Sequence, residues 1–336
     1  MKRLLAAILL LVAPAASSRA QSDKVVPNPP RGEVRIVVIS DINGRYGSTD
    51  YAPAIDSTVA RIQRVWQPEL VLAAGDLIAG QKRSLSDSTV RAMWSAFDEH
   101  VAAPLREAGI PLGFALGNHD ASATFERDRR LAARYWRTEP HTPDLAYADS
   151  SHFPFAYSFV EDSVFVLAWD ATSAELQYPR WTRRALRSEA AQSAAVRLVI
   201  GHLPLYAVGA GTRNRPGEVL AAPDSLRHLL ERRDVHTYVS GHHAAYYPGQ
   251  RGEIDLLSAG GLAGGTHALA GTESPSPRTV TVLDFDPSDR LARYTTINVE
   301  TLEKVPYASL PDTLRSHNGH VLRRDLSTGR AGERRD

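Results

Sequence analysis

Between positions 34 and 239, short, mainly apolar runs alternate with longer segments whose apolar residues recur at helical spacing. Residues 34–39, 70–74, 112–116, 196–200 and 237–239 have the length and composition of buried strands. Between them, 54–66 places Ile55, Val59, Ile62, Val65 and Trp66 at helical spacing, and 87–107, 124–136, 181–191 and 224–233 also read as helices. The stretch "AYSFVEDSVFVLAW" reads as a hairpin. Alternation of this kind restricts the chain to an α/β architecture. Towards the end, "EIDLLSA", "RTVTVLDF" and "ARYTTINV" are strand-like, with no helix long enough to separate them, so the sheets are expected to be partly mixed. There is no internal repeat and no clear second-domain boundary.

In such folds function collects beyond the carboxyl ends of the strands. "VVIS" runs into Asp41 and Asn43, "LVLAAG" into Asp76, and "GFALG" into Asn118, His119 and Asp120. "RLVIG" leads to His202, and "TYVSG" to His242 and His243. Each feature alone is weak, because Gly-Asp is usually a turn and Gly-His usually a loop histidine. Together they bring carboxylate, amide and imidazole donors to one end of the fold, a set that suits Mn, Fe or Zn. Glycine precedes four of these groups (Gly75, Gly117, Gly201, Gly241), where it permits tight turns and close backbone approach.

The 336 residues contain no cysteine, which excludes disulfides, thiolate ligands and a cysteine nucleophile. A formal net charge of +1 provides no reason to expect nucleic-acid binding. At the N-terminus, Lys2 and Arg3 precede an apolar stretch from Leu4 to Val12, and Ser18-Arg19-Ala20 offers small residues for cleavage before Gln21. This pattern is that of an export signal over 1–20. Its apolar stretch is short against the roughly 20 residues that span a bilayer. The expectation is a periplasmic or secreted protein without a stable membrane anchor. Residues 21–32 form a Pro-rich extended lead-in, 33–300 the main domain, and 301–336 a C-terminal extension expected to be mobile from about Ser316.

The order and spacing of the strand-end groups resemble those of the calcineurin-like metallophosphoesterase superfamily. The resembling stretch runs from about Arg35 to Phe285. Asp41-Ile42-Asn43 corresponds to that family's Asp-x-His, and Gly75-Asp76 to its Gly-Asp. Gly117-Asn118-His119-Asp120 corresponds to its most specific block, Gly201-His202 to its Gly-His, and Gly241-His242-His243-Ala244 to its Gly-His-x-His. The resemblance implies a four-layer α/β/β/α sandwich of two mixed sheets around a dinuclear centre. One ion would be held by Asn118, His202 and His242, bridged through Asp76 to a second ion at Asp41. It also implies a phosphohydrolase of phosphomonoesters or phosphodiesters, in which metal-activated water attacks phosphorus and small phosphate esters are the substrates.

Two positions of the second half depart from the pattern, Asn43 and Ala244. An amide oxygen at Asn43 is harder than imidazole and shifts preference from Zn towards Mn, Fe, Ca or Mg. Ala244 has no donor. The neighbouring His243 is a candidate replacement, although adjacent residues of an extended segment point to opposite sides. His267, in a Gly-rich loop, is a more distant one. The resemblance assigns His119 to the phosphate and the leaving group, and Asp120 either orients His119 or caps the following helix. The polar loop beginning "NGRYGS" offers Arg45, Tyr46 and Ser48 as substrate contacts or is simply a turn. "GHLPLY" is similar to a purple acid phosphatase segment, yet the tyrosine ligand of those enzymes is replaced by Ala79. A serine hydrolase is disfavoured, because no Gly-x-Ser-x-Gly elbow is present. The competing possibility is a weakened or inactive descendant that binds phosphorylated ligands or a protein.

Overall fold

The computed structural model describes residues 26–286 and 291–326. The segment read as an export signal, 1–20, lies outside the described residues. In chain order come β1 (Val34–Ile39), α1 (Pro53–Arg61), β2 (Leu70–Ala73), α2 (Asp87–Phe97), α3 (Ala103–Glu107) and β3 (Leu112–Phe114). Next follow α4 (Asn118–Ala121), α5 (Glu126–Trp136), β4 (Tyr147–His152), β5 (Ala156–Glu161), β6 (Val164–Ala168), α6 (Pro179–Ala185) and α7 (Glu189–Ser193). The remainder is β7 (Val196–Ile200), α8 (Pro223–Glu231), β8 (Thr237–Ser240), β9 (Tyr247–Arg251), β10 (Ile254–Ser258), β11 (Thr279–Asp286), β12 (Leu291–Asn298), β13 (Thr313–Ser316) and β14 (Gly319–Arg323).

The strands form two mixed sheets, as expected. One has the order β12-β11-β1-β2-β3, the other β13-β14-β9-β10-β8-β7-β6-β5-β4. β1, β2 and β3 are parallel to one another, and β1 pairs antiparallel with β11. β6, β7, β8 and β10 form the parallel centre of the larger sheet. Every residue of β1, β2 and β6 is buried, which explains why these strands read as near-continuous apolar runs rather than alternating ones, broken only by the ion-paired Arg35 of β1.

The sheets face each other, and cross-sheet bonds lock their relative position. The Tyr157 hydroxyl on β5 donates to the Phe114 carbonyl of β3 at 2.7 Å and accepts from the Phe114 N–H at 2.8 Å. At the other side, Thr237 and Tyr294 hydroxyls meet at 2.6 Å, and the His236 ring packs edge-on against Phe285. These contacts bring the carboxyl ends of β1–β3 and β7–β8 to one end of the sandwich.

Two differences from the sequence reading have clear causes. The stretch read as one helix over 181–191 is two helices, because the Ser188 side chain accepts from the Ala191 N–H and starts α7. The described part of the C-terminal extension, 301–326, is built into the fold beyond Ser316. β13 and β14 pair with each other, and β14 joins the edge of β9. Arg324 is buried, donating to Asp255 at 2.7 Å and to the Ala292 carbonyl at 2.8 Å. Residues 327–336 lie outside the described residues. The described part of the lead-in, from Val26, is docked too: Trp66 donates to the Pro27 carbonyl, and the buried Arg35–Asp284 pair also binds Asn28 and Pro29. No helix among the described residues is long and apolar enough to cross a membrane.

Candidate metal centre

The loops after β1, β2, β3, β7 and β8 are tied together by their own backbones. The Asp41 N–H donates to the Gly75 carbonyl at 3.0 Å, and the Gly241 N–H to the His202 carbonyl at 3.0 Å. Two further bonds cross between the sheets: His202 Nδ1 to the Ala74 carbonyl at 2.8 Å, and the His242 N–H to Asp41 Oδ2 at 3.1 Å. Glycine is required where these turns touch. A side chain at Gly117 would overlap the backbone N and Oδ1 of Asp76, and one at Gly241 would overlap the Ser40 hydroxyl. Asp41, Asp76 and His242 adopt positive φ values of 49°, 54° and 65°. Non-glycine residues held there cost about 1–3 kcal/mol each, and such strain concentrates at functional sites.

Four donors converge. His202 Nε2 lies 3.0 Å from Asn118 Oδ1 and 3.2 Å from Asp76 Oδ1. His242 Nδ1 lies 3.0 Å from the same Asn118 oxygen. Because Nδ1–H of His202 is committed to Ala74, Nε2 is the nitrogen turned to the centre and the one a metal would take on loss of its proton. His242 is held in the opposite sense: Nε2 lies 3.0 Å from Glu218 Oε2, so Nδ1 faces the centre. Asn118 donates its amide nitrogen to Gln81 Oε1 at 2.7 Å, which turns its oxygen inward. Ligand atoms of the buried residues Asp41, Asp76 and His202 lie within 4.8 Å of one another, a grouping able to hold a metal ion.

The electrostatics follow from gathering these groups away from water. Burial pushes Asp76 up, but the His202 and His119 charges outweigh it and hold the carboxyl below its usual range. Burial works against the charged form of His202, yet neighbouring Asp76 pushes it up to about 9. Asp41 is pushed up to about 6 by burial, against the attraction of His202. His242 is pushed down to about 4 by burial, with the Glu218 hydrogen bond opposing. Glu218 itself is held well below its usual range, first by His242 and then, against burial, by Arg213 and Arg215.

The remaining sequence candidates divide. His119 stands at the rim with Nε2 3.8 Å from Asp76 Oδ2, and its Nδ1 is buried without a hydrogen-bond partner. Tyr46, 54% exposed, places its ring 5.1 Å from that of His119. Arg45 is exposed on the same loop. Asn43 hydrogen-bonds its amide nitrogen to the Ile78 carbonyl at 3.2 Å. The expected alternatives for His243 and Asp120 are corrected by their partners. His243 Nδ1 accepts from the Gly209 N–H at 3.1 Å and Nε2 donates to the Glu218 carbonyl at 3.0 Å, so neither nitrogen is available to a metal. Asp120 accepts from the N–H groups of Leu77, Ile78 and Gly117, at 2.8, 2.8 and 2.7 Å. It ties two ligand loops together and makes no hydrogen bond to the His119 ring. His267 is only half-buried and bonds through its backbone to Ala244.

Sequence reasoning missed Glu218, Gln81 and Arg213. Arg213 donates to Glu218 at 2.8 Å and so fixes the carboxylate behind His242. Gln81 and Glu218 lie on irregular loops and Arg213 ends a single 3₁₀ turn over Gly211–Arg213, all away from the strand ends, so no local pattern marks them.

A family model described as calcineurin-like phosphoesterase matches residues 34–246. Among solved structures, the chain is similar to a purple acid phosphatase from yellow lupin (Lupinus luteus) seeds, with TM-score 0.58 and 16% identity over 83% of this chain and 54% of that one. The chain therefore spans about half the length of the lupin protein. GAP50, the anchor in the inner membrane complex of Plasmodium, matches with TM-score 0.53 and 12% identity over 81% of this chain and 87% of that one. A dimetal phosphatase from Danio rerio matches with TM-score 0.50 and 15% identity over 79% and 95%. At these identities the likeness concerns the fold. No curated protein matches the sequence.

Proposed function

The chain belongs to the calcineurin-like phosphoesterase family, and from that premise we propose that it is an exported, metal-dependent hydrolase of phosphomonoesters or phosphodiesters. The observation that carries this reading is the convergence of Asp76, Asn118, His202 and His242, with both imidazole tautomers fixed by outside partners. One carboxylate, one amide oxygen and two imidazoles fit Mn, Fe or Zn. When bound, such an ion supplies Lewis-acid polarisation of a phosphoryl oxygen and an acidified water as nucleophile.

The chain's own residues perform the rest. Ala74 and Glu218 hold the hydrogens of His202 and His242 on the far side of each ring. Gln81 keeps the Asn118 oxygen turned inward. His119, beside Asp76 and reaching the rim, is placed to donate a proton to the departing ester oxygen. Tyr46 forms an exposed aromatic wall beside His119, suited to the organic group of a small phosphate ester. The export reading rests on the N-terminal pattern over 1–20 and places the activity in the periplasm or outside the cell.

The test is hydrolysis of an aryl phosphate and of a bis-aryl phosphodiester by purified protein supplemented in turn with Mn, Fe and Zn. Turnover of either supports the proposal and selects between ester classes. A second reading, a non-catalytic binding protein, draws on Asn43 and Ala244, which remove imidazoles from one half of the centre. GAP50, named for anchoring, shares the fold. Absence of turnover with every metal, in protein that retains its fold, would favour that reading.

A further inference from the structure

We infer that this centre holds one firmly bound metal ion rather than a pair: the Asp76–Asn118–His202–His242 half is a complete ligand set, and the Asp41 half is not a resident metal site. The inference rests on the metallophosphoesterase reading for its chemistry, but its content is the number of ions.

The two halves differ in what is left to coordinate. In the first, four donors converge: Asn118, His202 and His242 are oriented by Gln81, Ala74 and Glu218 outside the centre, and Asp76 Oδ1 accepts from the His119 N–H at 3.0 Å. In the second, the two missing histidines have no imidazole replacement. Ala244 offers none, and the glycine packed close to it brings no donor either: a Cβ built on Gly261 would meet the Ala244 Cβ at 3.0 Å and the Asp41 Cβ at 3.6 Å. His243 is adjacent in sequence, yet both of its ring nitrogens are committed to backbone groups. Asn43 is pinned through its amide nitrogen to Ile78 and adds at most one neutral oxygen.

Asp41 is itself partly spent. Its Oδ2 accepts from the Ser40 hydroxyl at 2.6 Å and from the His242 N–H at 3.1 Å. What remains is the Asp41 carboxylate, at most the Asn43 amide oxygen, and the Asp76 carboxylate shared with the first half. Two carboxylates and one amide oxygen, completed by water, suit a loosely held Mg²⁺, which retains its hydration shell, and not a firmly bound imidazole-preferring ion. In the positions occupied here, Asp41 acts by bracing the His242 turn: its carboxylate receives the backbone N–H of a residue held at positive φ.

The experiment loads the full-length mature protein with excess Mn(II) or Zn(II), removes free metal by gel filtration and measures metal per chain by elemental analysis. One ion per chain is expected, with an isolated-ion Mn(II) EPR spectrum. Two ions per chain, or an exchange-coupled spectrum, would overturn the inference while leaving the hydrolase reading standing. One ion without phosphoesterase turnover would do the reverse, and no bound ion would overturn both. The double variant Asn43→His/Ala244→His returns both imidazoles and should raise the count towards two. A folded double variant that stays at one ion would overturn the assignment of the deficit to these positions. If it does not fold, the wild-type count and spectrum still decide.

Discussion

Glu218 Oε2 lies 3.0 Å from Nε2 of His242, while Nδ1 of the same ring lies 3.0 Å from Asn118 Oδ1. A carboxylate from an irregular loop therefore decides which nitrogen of a strand-end histidine faces the centre. Such outer partners typically carry about 10–100-fold of metal affinity. Glu218→Ala should weaken metal binding by that factor in a calorimetric titration, with an unchanged far-UV circular dichroism spectrum. Unaltered affinity would mean that His242 keeps its tautomer without help.

Asp76 stands between the two histidines of the rim and the inner site, 3.2 Å from His202 Nε2 and 3.8 Å from His119 Nε2. Asp76→Asn and His202→Ala should each lower phosphoesterase turnover on the order of 100-fold or more, since an ion's share of transition-state stabilisation is several kcal/mol. Both should also lose metal on gel filtration. A variant that kept metal and activity would remove that residue from the site.

The metal-free protein should lose stability between about pH 6.5 and 9. His202 has its ordinary value of 6.5 when unfolded and is pushed up to about 9 in the fold by Asp76, against burial. The folded state then binds this proton more tightly, so its contribution is full below 6.5 and is lost as pH rises through 9. Asp120, pushed up to about 7 by burial and then by the Asp76 charge, adds a decline in the same direction at the lower end. Metal must displace the His202 proton, so metal affinity should rise across this window. Thermal unfolding of metal-free and metal-loaded protein across the range checks both signs; a flat metal-free profile would contradict the His202–Asp76 pairing.

Tyr157→Phe removes only a hydroxyl, yet it strips partners from both backbone groups of Phe114. A buried polar group left unsatisfied costs about 1–3 kcal/mol. The variant should melt at lower temperature with its secondary structure intact. An unchanged melting temperature would show that the sheets do not depend on this cross-link.

Tyr46 is exposed but touches His119, so Tyr46→Ala should spare stability and act on substrate. An aromatic contact of about 0.5–1.5 kcal/mol corresponds to a rise in KM of about 2- to 10-fold with aryl phosphates. Equal KM values in wild type and variant would place the substrate elsewhere on the rim.

The sequence alone carried the α/β architecture and the identity of the groups brought to one end of the fold. Asp76, Asn118, His202 and His242 were legible because each follows its own apolar strand at short range, and a parallel strand delivers its successor to a fixed end of the sheet. Tertiary structure alone decided where each polar group points. His243 and Asp120 sit within the same motifs, but they are claimed by backbone donors and acceptors from other loops. Glu218 and Gln81 reach the centre from loops without periodicity. β4, β13 and β14 are short, mostly polar strands at or near a sheet edge, so no apolar run announces them. The physical reason is common to all of these cases. Burial of apolar runs is written in local sequence, whereas the partner of a buried hydrogen-bonding group is chosen by whichever distant segment packing brings within about 3 Å.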